Sequence, residues 1–291
     1  MLINQRQLKS GKGPLDADSL EGLSYQVLDC KESVGEFSST YKIEVFLPVL
    51  SETLAFVVKM IPNNDICRAY VFQTGLFEKE NEVYFDLIPA IKFYTNSRKV
   101  QHNLGTTIPE CIYGSHNNDG AGVLVFNFCS GYKEHKDPQG LKMSEVKCVF
   151  QNIAEFHAAA RSFVIKHGGQ VERRYPLLCE DQYSNGMLLK DIAECLENYE
   201  LFLDAIPKTS VDSLHDIKVQ FTRLKSCDAF LLLKNLRRPS GKLTTIIHGE
   251  LWDRNVLLKN DHQAIIIDWK NAKLATATLD LAFLMLSSTT W

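Results

Sequence analysis

The chain has 291 residues, 45% of them hydrophobic and 23% charged, with 32 basic side chains against 35 acidic ones. That length suits one large domain or two modest ones and buries enough apolar surface to fold without staples, and the composition excludes collagen-like, disordered and disulfide-scaffold classes. A net charge of -3 without a basic block argues against nucleic acid or a membrane surface as partner, and no apolar run approaches the roughly 18–20 residues that span a bilayer.

The first 14 residues hold no apolar stretch that could serve as a secretory segment. The eight cysteines are scattered without a C-x-x-C pair, so zinc and thioredoxin-type chemistry have no support. Reduced, mostly core cysteines in a cytoplasmic protein are the expectation.

In chain order, the first half reads as strand-rich. Tyr41–Leu47 and Thr53–Ile61 alternate polar and apolar residues and are rich in β-branched and aromatic side chains, with Pro48, Pro62 and Asn63-Asn64 as punctuation. A helix follows, with Phe77, Glu80 and Tyr84 on one face and Val83, Leu87 and Ile88 widening its apolar stripe. A second strand pair is expected at Ile108–Tyr113 and Val123–Phe128, split by the loop Gly114–Gly122. The second half reads as helical: Leu141–Lys166 aligns Val146, Val149, Phe150, Ile153, Phe156, Ala160 and Phe163, and Met187–Ile206 and Val211–Asn235 follow. Strand character returns at Lys242–Ile247, Val256–Lys259 and Ala264–Asp268, the last two as a hairpin.

The chemistry concentrates between Thr245 and Lys270. His248, Glu250 and Asn255 fall in a polar loop after a buried strand, and Asp268 sits just past the hairpin. Two oxygen ligands, Asn255 and Asp268, brought together by a hairpin make a hard-cation site of the kind that holds Mg2+ on a nucleotide. A carboxylate five residues before the Asn can take a proton from an attacking hydroxyl. Singly, each residue has a plainer reading: an Asp at a strand end is usually a turn residue, and a loop histidine usually braces. Their ordered conjunction carries the functional reading.

His248-Gly-Glu-Leu-Trp-x-x-Asn255 with Ile-Ile-Asp268-Trp resembles the choline-kinase-like, ecdysteroid-kinase-like group of small-molecule phosphotransferases, distant relatives of protein kinases. Phe56-Val-Val-Lys59, Phe77-x-x-Glu80-x-x-x-Tyr84, Ile108–Gly114, Ala154-Glu-Phe-His157 and Asp280-Leu-Ala add further matches in order, over nearly the whole chain. The resemblance implies an α+β, protein-kinase-like two-lobed fold: a β-rich N-lobe over residues 1–128, and a helical C-lobe over 129–291 that lacks its last helices, as in a fragment or splice product. It implies ATP and Mg2+ between the lobes, with Lys59 on the phosphates, Glu80 orienting Lys59, and Gly35 with Ser38, Ser39 and Thr40 in place of a phosphate loop. Residues Val125–Cys129 become the adenine hinge, with Asn127 standing where an acidic residue is common. Catalysis falls to the loop His248, Glu250 and Asn255, and metal binding to Asn255 and Asp268. His157, Trp252 and Trp269 read as packing residues, and Asp253 as solvated.

The implied reaction is phosphoryl transfer from ATP to a hydroxyl of a small-molecule alcohol, ecdysteroid- or choline-like. The family has Asp where this chain has Glu250. The two acids differ little in reference pKa, about 4.3 against 3.9, but one added methylene moves the carboxylate by roughly an ångström, enough to cost about 10²-fold where positioning carries catalysis. A nucleotide-binding pseudokinase is therefore the alternative reading. On either reading the Lys59 amine is expected beside the carboxylates of Glu80 and Asp268. Acceptor identity and oligomeric state have no pattern in the sequence.

Overall fold

The computed structural model describes residues 9–10, 13–14, 20–29, 37–99, 104–116, 121–179, 186–206, 214–226 and 243–289. The N-terminal half is built on a five-stranded antiparallel sheet of β1 (Ser24–Asp29), β2 (Ser39–Leu47), β3 (Glu52–Met60), β4 (Cys111–His116) and β5 (Gly122–Asn127), in the order β1-β2-β3-β5-β4. Both β2 and β3 form over the alternating segments, and most of their side chains are half-buried. The register sets Thr40 and Leu124 opposite Lys59, so all three share a face; Ser39 lies opposite Met60, on the other face. Of the segment expected as a loop, Gly114, Ser115 and His116 are strand, paired to Leu124, Val123 and Gly122, and residues 117–120 lie outside the described residues.

Between β3 and β4 the chain is helical. Helix α1 (Asp65–Thr74) starts where the side chain of Asn64 accepts from the N–H groups of Ile66 and Cys67 and ends at Gly75, φ 62°. The helix expected around Glu80 comes as α2 (Leu76–Glu82) and α3 (Ile88–Ser97), joined by one π-turn, Val83–Leu87, in which the Ile88 N–H reaches back to the Val83 carbonyl. Pro89 follows at once and has no N–H to give, so the local ladder is rearranged rather than broken. Tyr84, in that turn, meets Phe126 edge-on at 4.8 Å and fastens the helix to the sheet.

The C-terminal half is organised by α4 (Met143–His167). Its Val146, Val149, Ile153, Phe156, Ala160 and Phe163 are all buried, as the 3.6-residue spacing requires, while Phe150 is half-buried. Beneath it lie two small antiparallel sheets. β7 (Thr244–Ile247) pairs with β10 (Lys273–Thr276), and β8 (Val256–Lys259) pairs with both β9 (Gln263–Ile266) and the two-residue β6 (Lys133–Glu134). Helices α5 (Gly169–Arg174), α6 (Gly186–Ala205), α7 (Leu214–Ser226) and α8 (Thr278–Ser288) complete the half, with Tyr199 of α6 against Phe221 of α7 at 5.2 Å. The architecture is the expected α+β one, a β-rich N-terminal region and a helical C-terminal part. At residue 128, the proposed division, the Phe128 N–H still donates to Ala55 of the sheet. Among the described residues no helix is long and apolar enough to cross a membrane.

Candidate active site

Three segments far apart in sequence meet at Lys59. Its Nζ lies 2.8 Å from Oε1 and 2.7 Å from Oε2 of Glu80 on α2, and 2.6 Å from Oδ1 of Asp268 beyond β9. The Glu80 side chain is 2% exposed, Lys59 12% and Asp268 20%, so the cluster is screened from bulk water yet open on the Asp268 side. Burial alone would push the Lys59 amine down, but the facing carboxylates of Asp268 and Glu80 outweigh it and raise it above its ordinary value. Asp268 is the mirror case: burial would raise it, and Lys59 and Lys270 together hold it well below the usual carboxylate range. Burial dominates at Glu80, whose carboxyl sits above its ordinary value with the negative Asp268 adding to the effect and Lys59 opposing it.

The polar loop after β7 is held by its main chain. The Asp280 carboxylate in the first turn of α8 accepts from the His248 N–H at 2.7 Å and the Gly249 N–H at 2.8 Å, and its Oδ2 also meets His157 Nε2 at 2.9 Å. His157 is thus a packed bracing residue, as its place on the apolar face of α4 suggested. His248 is fully buried. Its Nδ1 lies 3.3 Å from the Glu250 N–H and its Nε2 lies 2.8 Å from the Ile267 carbonyl, an arrangement a neutral ring satisfies with the proton on Nε2. Burial pushes its pKa down despite the nearby Asp280. Through these two contacts the ring braces the loop.

A depressed histidine withholds a proton that the unfolded chain takes up, so stability is full above the unfolded value near pH 6.5 and falls as pH drops below it. Thermal unfolding followed from pH 7.5 to 5.5 is expected to show this loss, reduced in His248→Asn; an unchanged pH slope in that variant contradicts the assignment.

Gly249 has φ 83°, and a Cβ there would stand 2.2 Å from the Asn271 carbonyl oxygen. Both the left-handed backbone and the contact require glycine. Gly249→Ala is expected to cost about 2–3 kcal/mol, read by denaturant unfolding, and to displace Asn271. Stability within about 0.5 kcal/mol of the unsubstituted protein would contradict this.

Glu250 presents its carboxylate between two neighbours from the turn after Asp268. Oε2 accepts from Asn271 Nδ2 at 2.7 Å and lies 3.5 Å from Lys270 Nζ. Asn255, buried on the turn leading into β8, donates Nδ2 to the Glu250 carbonyl at 2.8 Å, which commits the amide nitrogen and leaves Oδ1 as the atom that could hold a metal. Asp268 has φ 66° and ψ 60°, a left-handed conformation uncommon outside glycine and asparagine. The following Trp269 is fully buried against Phe156 at 4.4 Å and His248 at 4.8 Å, and its indole N–H donates to Ile266, so it wedges the turn. Asp253 is not simply solvated: its N–H donates to Ser288 and its Oδ2 lies 3.7 Å from His135 Nδ1.

Not every expected residue reaches the amine. Ser39 lines a hollow of ≈ 310 Å³ with Val27, Tyr41, Ile43, Val58, Met60 and Asn63, on the face of the sheet away from Lys59. The pleat leaves Thr40, opposite Lys59, as the hydroxyl on the cleft side. Asn127 spends its side chain on Glu110, Nδ2 to Oε2 at 2.9 Å. Gly35 lies outside the described residues. Lys270 and Asn271 were missed by sequence reasoning, although a lysine two residues past a cleft carboxylate was a signal in plain view.

The donor set, a carboxylate oxygen and an amide oxygen, suits a hard cation. Among the described residues no cluster of three or more His, Cys, Asp or Glu could hold a metal, and a cation at Asp268 would need Asn255 and further ligands from phosphate or water.

Among solved structures, the AMP-bound spectinomycin phosphotransferase APH(9)-Ia superposes with a TM-score of 0.47 at 13% identity, covering 89% of this chain and 68% of that one. An aminoglycoside phosphotransferase from Alicyclobacillus acidocaldarius gives 0.44 at 16% identity, covering 84% and 64%. The gentamicin complex of APH(2")-IIa gives 0.44 at 14%, covering 91% and 73%. No curated protein matches the sequence. The sequence profile of the ecdysteroid kinase-like family matches residues 37–291, which include Lys59, Glu80, Glu250, Asn255 and Asp268, and the chain belongs to that family.

Proposed function

We propose that this protein is an ATP-dependent small-molecule kinase, moving the γ-phosphoryl group to a hydroxyl of an alcohol. The observation that carries the reading is the convergence of Lys59, Glu80 and Asp268 within 2.8 Å, from a strand, a helix and a hairpin end. Phosphoryl transfer asks little covalent chemistry of a protein, so positioning and charge do most of the work. Lys59, aimed by Glu80, meets the phosphates as a fixed positive charge. Asp268 and Asn255 would hold Mg2+, which when bound neutralises phosphate charge. Glu250 takes the proton of the attacking hydroxyl; both of its contacts fall on Oε2, and Oε1 is the oxygen assigned to the substrate. The bond from the γ-phosphorus to the ADP oxygen breaks as the bond to the alcohol oxygen forms.

The test is transfer of labelled γ-phosphate over a panel of sterols, choline and aminoglycosides, beside Lys59→Ala. A product absent from that control supports the reading. Glu250→Asp is expected to raise turnover; equal or lower turnover means that Asn271 already places the longer side chain correctly. A second reading, a nucleotide-binding pseudokinase, is favoured by the engagement of both Asp268 oxygens and of Glu250 Oε2 by neighbouring side chains. It predicts a thermal shift with Mg-ATP and no product on any acceptor.

A further inference from the structure

The left-handed turn at Asp268 folds the next residues back toward the cleft. Lys270 lies in the short turn Trp269–Asn271, and its ammonium pairs with Oδ2 of Asp268 while standing 3.5 Å from Oε2 of Glu250. Lys59 already occupies Oδ1. Lys59 is shared with Glu80, and Lys270 is a second ammonium on Asp268, placed between the carboxylate assigned to the metal and the carboxylate assigned to the proton. Its side chain is 16% exposed, at the open side of the cleft, and its flexible four-carbon stem lets the charge move into water without disturbing the backbone. Asn271 Nδ2 holds Glu250 independently, so the loop does not need Lys270 for its shape.

We propose that Lys270 is a resident counter-cation that competes with the divalent ion for Oδ2 of Asp268, and so sets how much divalent cation the site requires. The inference rests on the reading of Asp268 as a metal ligand. A divalent ion binding Asp268 through both oxygens, or bridging it to Glu250, must displace the Lys270 ammonium and stand near its positive charge. A hydrogen bond between charged groups of this kind weighs about ten- to a hundredfold in an equilibrium constant, which fixes the size of the competition. The same contact predicts that nucleotide added without divalent cation still finds two ammonium groups, Lys59 and Lys270, at the cleft.

The experiment is Mn2+ binding, with Mn2+ as the paramagnetic probe, measured by electron paramagnetic resonance on the full chain with and without ADP. The arms are the unsubstituted protein, Lys270→Gln, Lys270→Met and Asp268→Asn, each checked for folding by thermal unfolding. Both Lys270 variants are expected to bind Mn2+ at least about tenfold more tightly than the unsubstituted protein, and Asp268→Asn to lose that binding. Equal affinity in a folded Lys270 variant and the unsubstituted protein overturns the inference while leaving Asp268 as a ligand. Binding that survives intact in Asp268→Asn, or no binding in any arm, overturns the metal reading and this inference with it.

Discussion

Lys59→Met is expected to abolish nucleotide binding and to lower the melting temperature at pH 7 by roughly 10 °C. The thermal effect follows from what the substitution leaves behind. The Glu80 carboxylate is 2% exposed and Asp268 20%, and each touches the Lys59 ammonium at less than 3 Å. Removing one partner of such a buried cluster costs about 3–5 kcal/mol, because the remaining charges lose their compensation; in a domain of this size each kcal/mol moves the midpoint by about 2–4 °C. Asp268 keeps Lys270, while Glu80 loses its amine, so the larger share of the cost falls on Glu80. The pH dependence has a definite sign. The raised amine contributes its full stabilisation below its unfolded value near 10.5, and the depressed Asp268 contributes above its unfolded value near 3.8, so the deficit of the variant is largest between those limits. Lys59→Arg is expected to restore most of the stability, since a guanidinium also pairs with carboxylates, but not binding, since its planar fork does not present the same point charge to a phosphate. Unfolding scans with and without ATP read both effects together; a variant that melts as before and still shifts with ATP contradicts the cluster's role.

Asp280→Asn is expected to destabilise by about 3–5 kcal/mol, with turnover lost in the same variant. A single carboxylate accepts from two consecutive backbone N–H groups and meets His157, and it is 1% exposed. Hydrogen bonds to a charged acceptor contribute about 1.5–3 kcal/mol each. The amide replaces one acceptor oxygen by an NH2 group that must face a donor, so the isosteric change costs nearly as much as truncation. Burial would raise this carboxyl, but the hydrogen bonds to His157 and to the His248 main chain hold it below the ordinary range. The stabilisation is therefore present above about pH 4 and fades as pH falls through the folded value, so the gap between the two proteins narrows in acid. Denaturant unfolding at pH 7 and pH 3.5 decides it: a gap that is small at pH 7, or grows in acid, contradicts the anchoring role.

Strong periodicity and residue identity carried much of the architecture. Tyr41–Leu47 and Thr53–Met60 are strand in the structure, and the long apolar face of α4 is buried as its 3.6-residue period requires. Helix α1 was missed, and Ile66 and Phe72 explain why: both are exposed, so no apolar stripe marks the segment. Its caps, Asn64 at one end and Gly75 at the other, were the available signal. The strands β1 and β10 escaped for a related reason, β10 being four residues long and defined by its pairing with β7 rather than by its own pattern. At the site, residue types pointed to Lys59, Glu80 and Asp268, whose meeting depends on charge. Ser39 against Thr40 turned on a single step of register, which fixes the face of every residue in a strand. The contacts of Lys270 depend on the left-handed backbone at Asp268, a conformation imposed by the surrounding fold on a residue whose identity does not announce it.

The central claim is that Asp268, opposite Lys59, receives a metal–nucleotide complex. Isothermal titration of ADP into the unsubstituted protein and into Asp268→Asn, each with and without Mg2+, tests it most directly. The account predicts that Mg2+ tightens binding to the unsubstituted protein and has no effect on the variant. Equal Mg2+ dependence in the two proteins, or no heat from ADP in either, would contradict it.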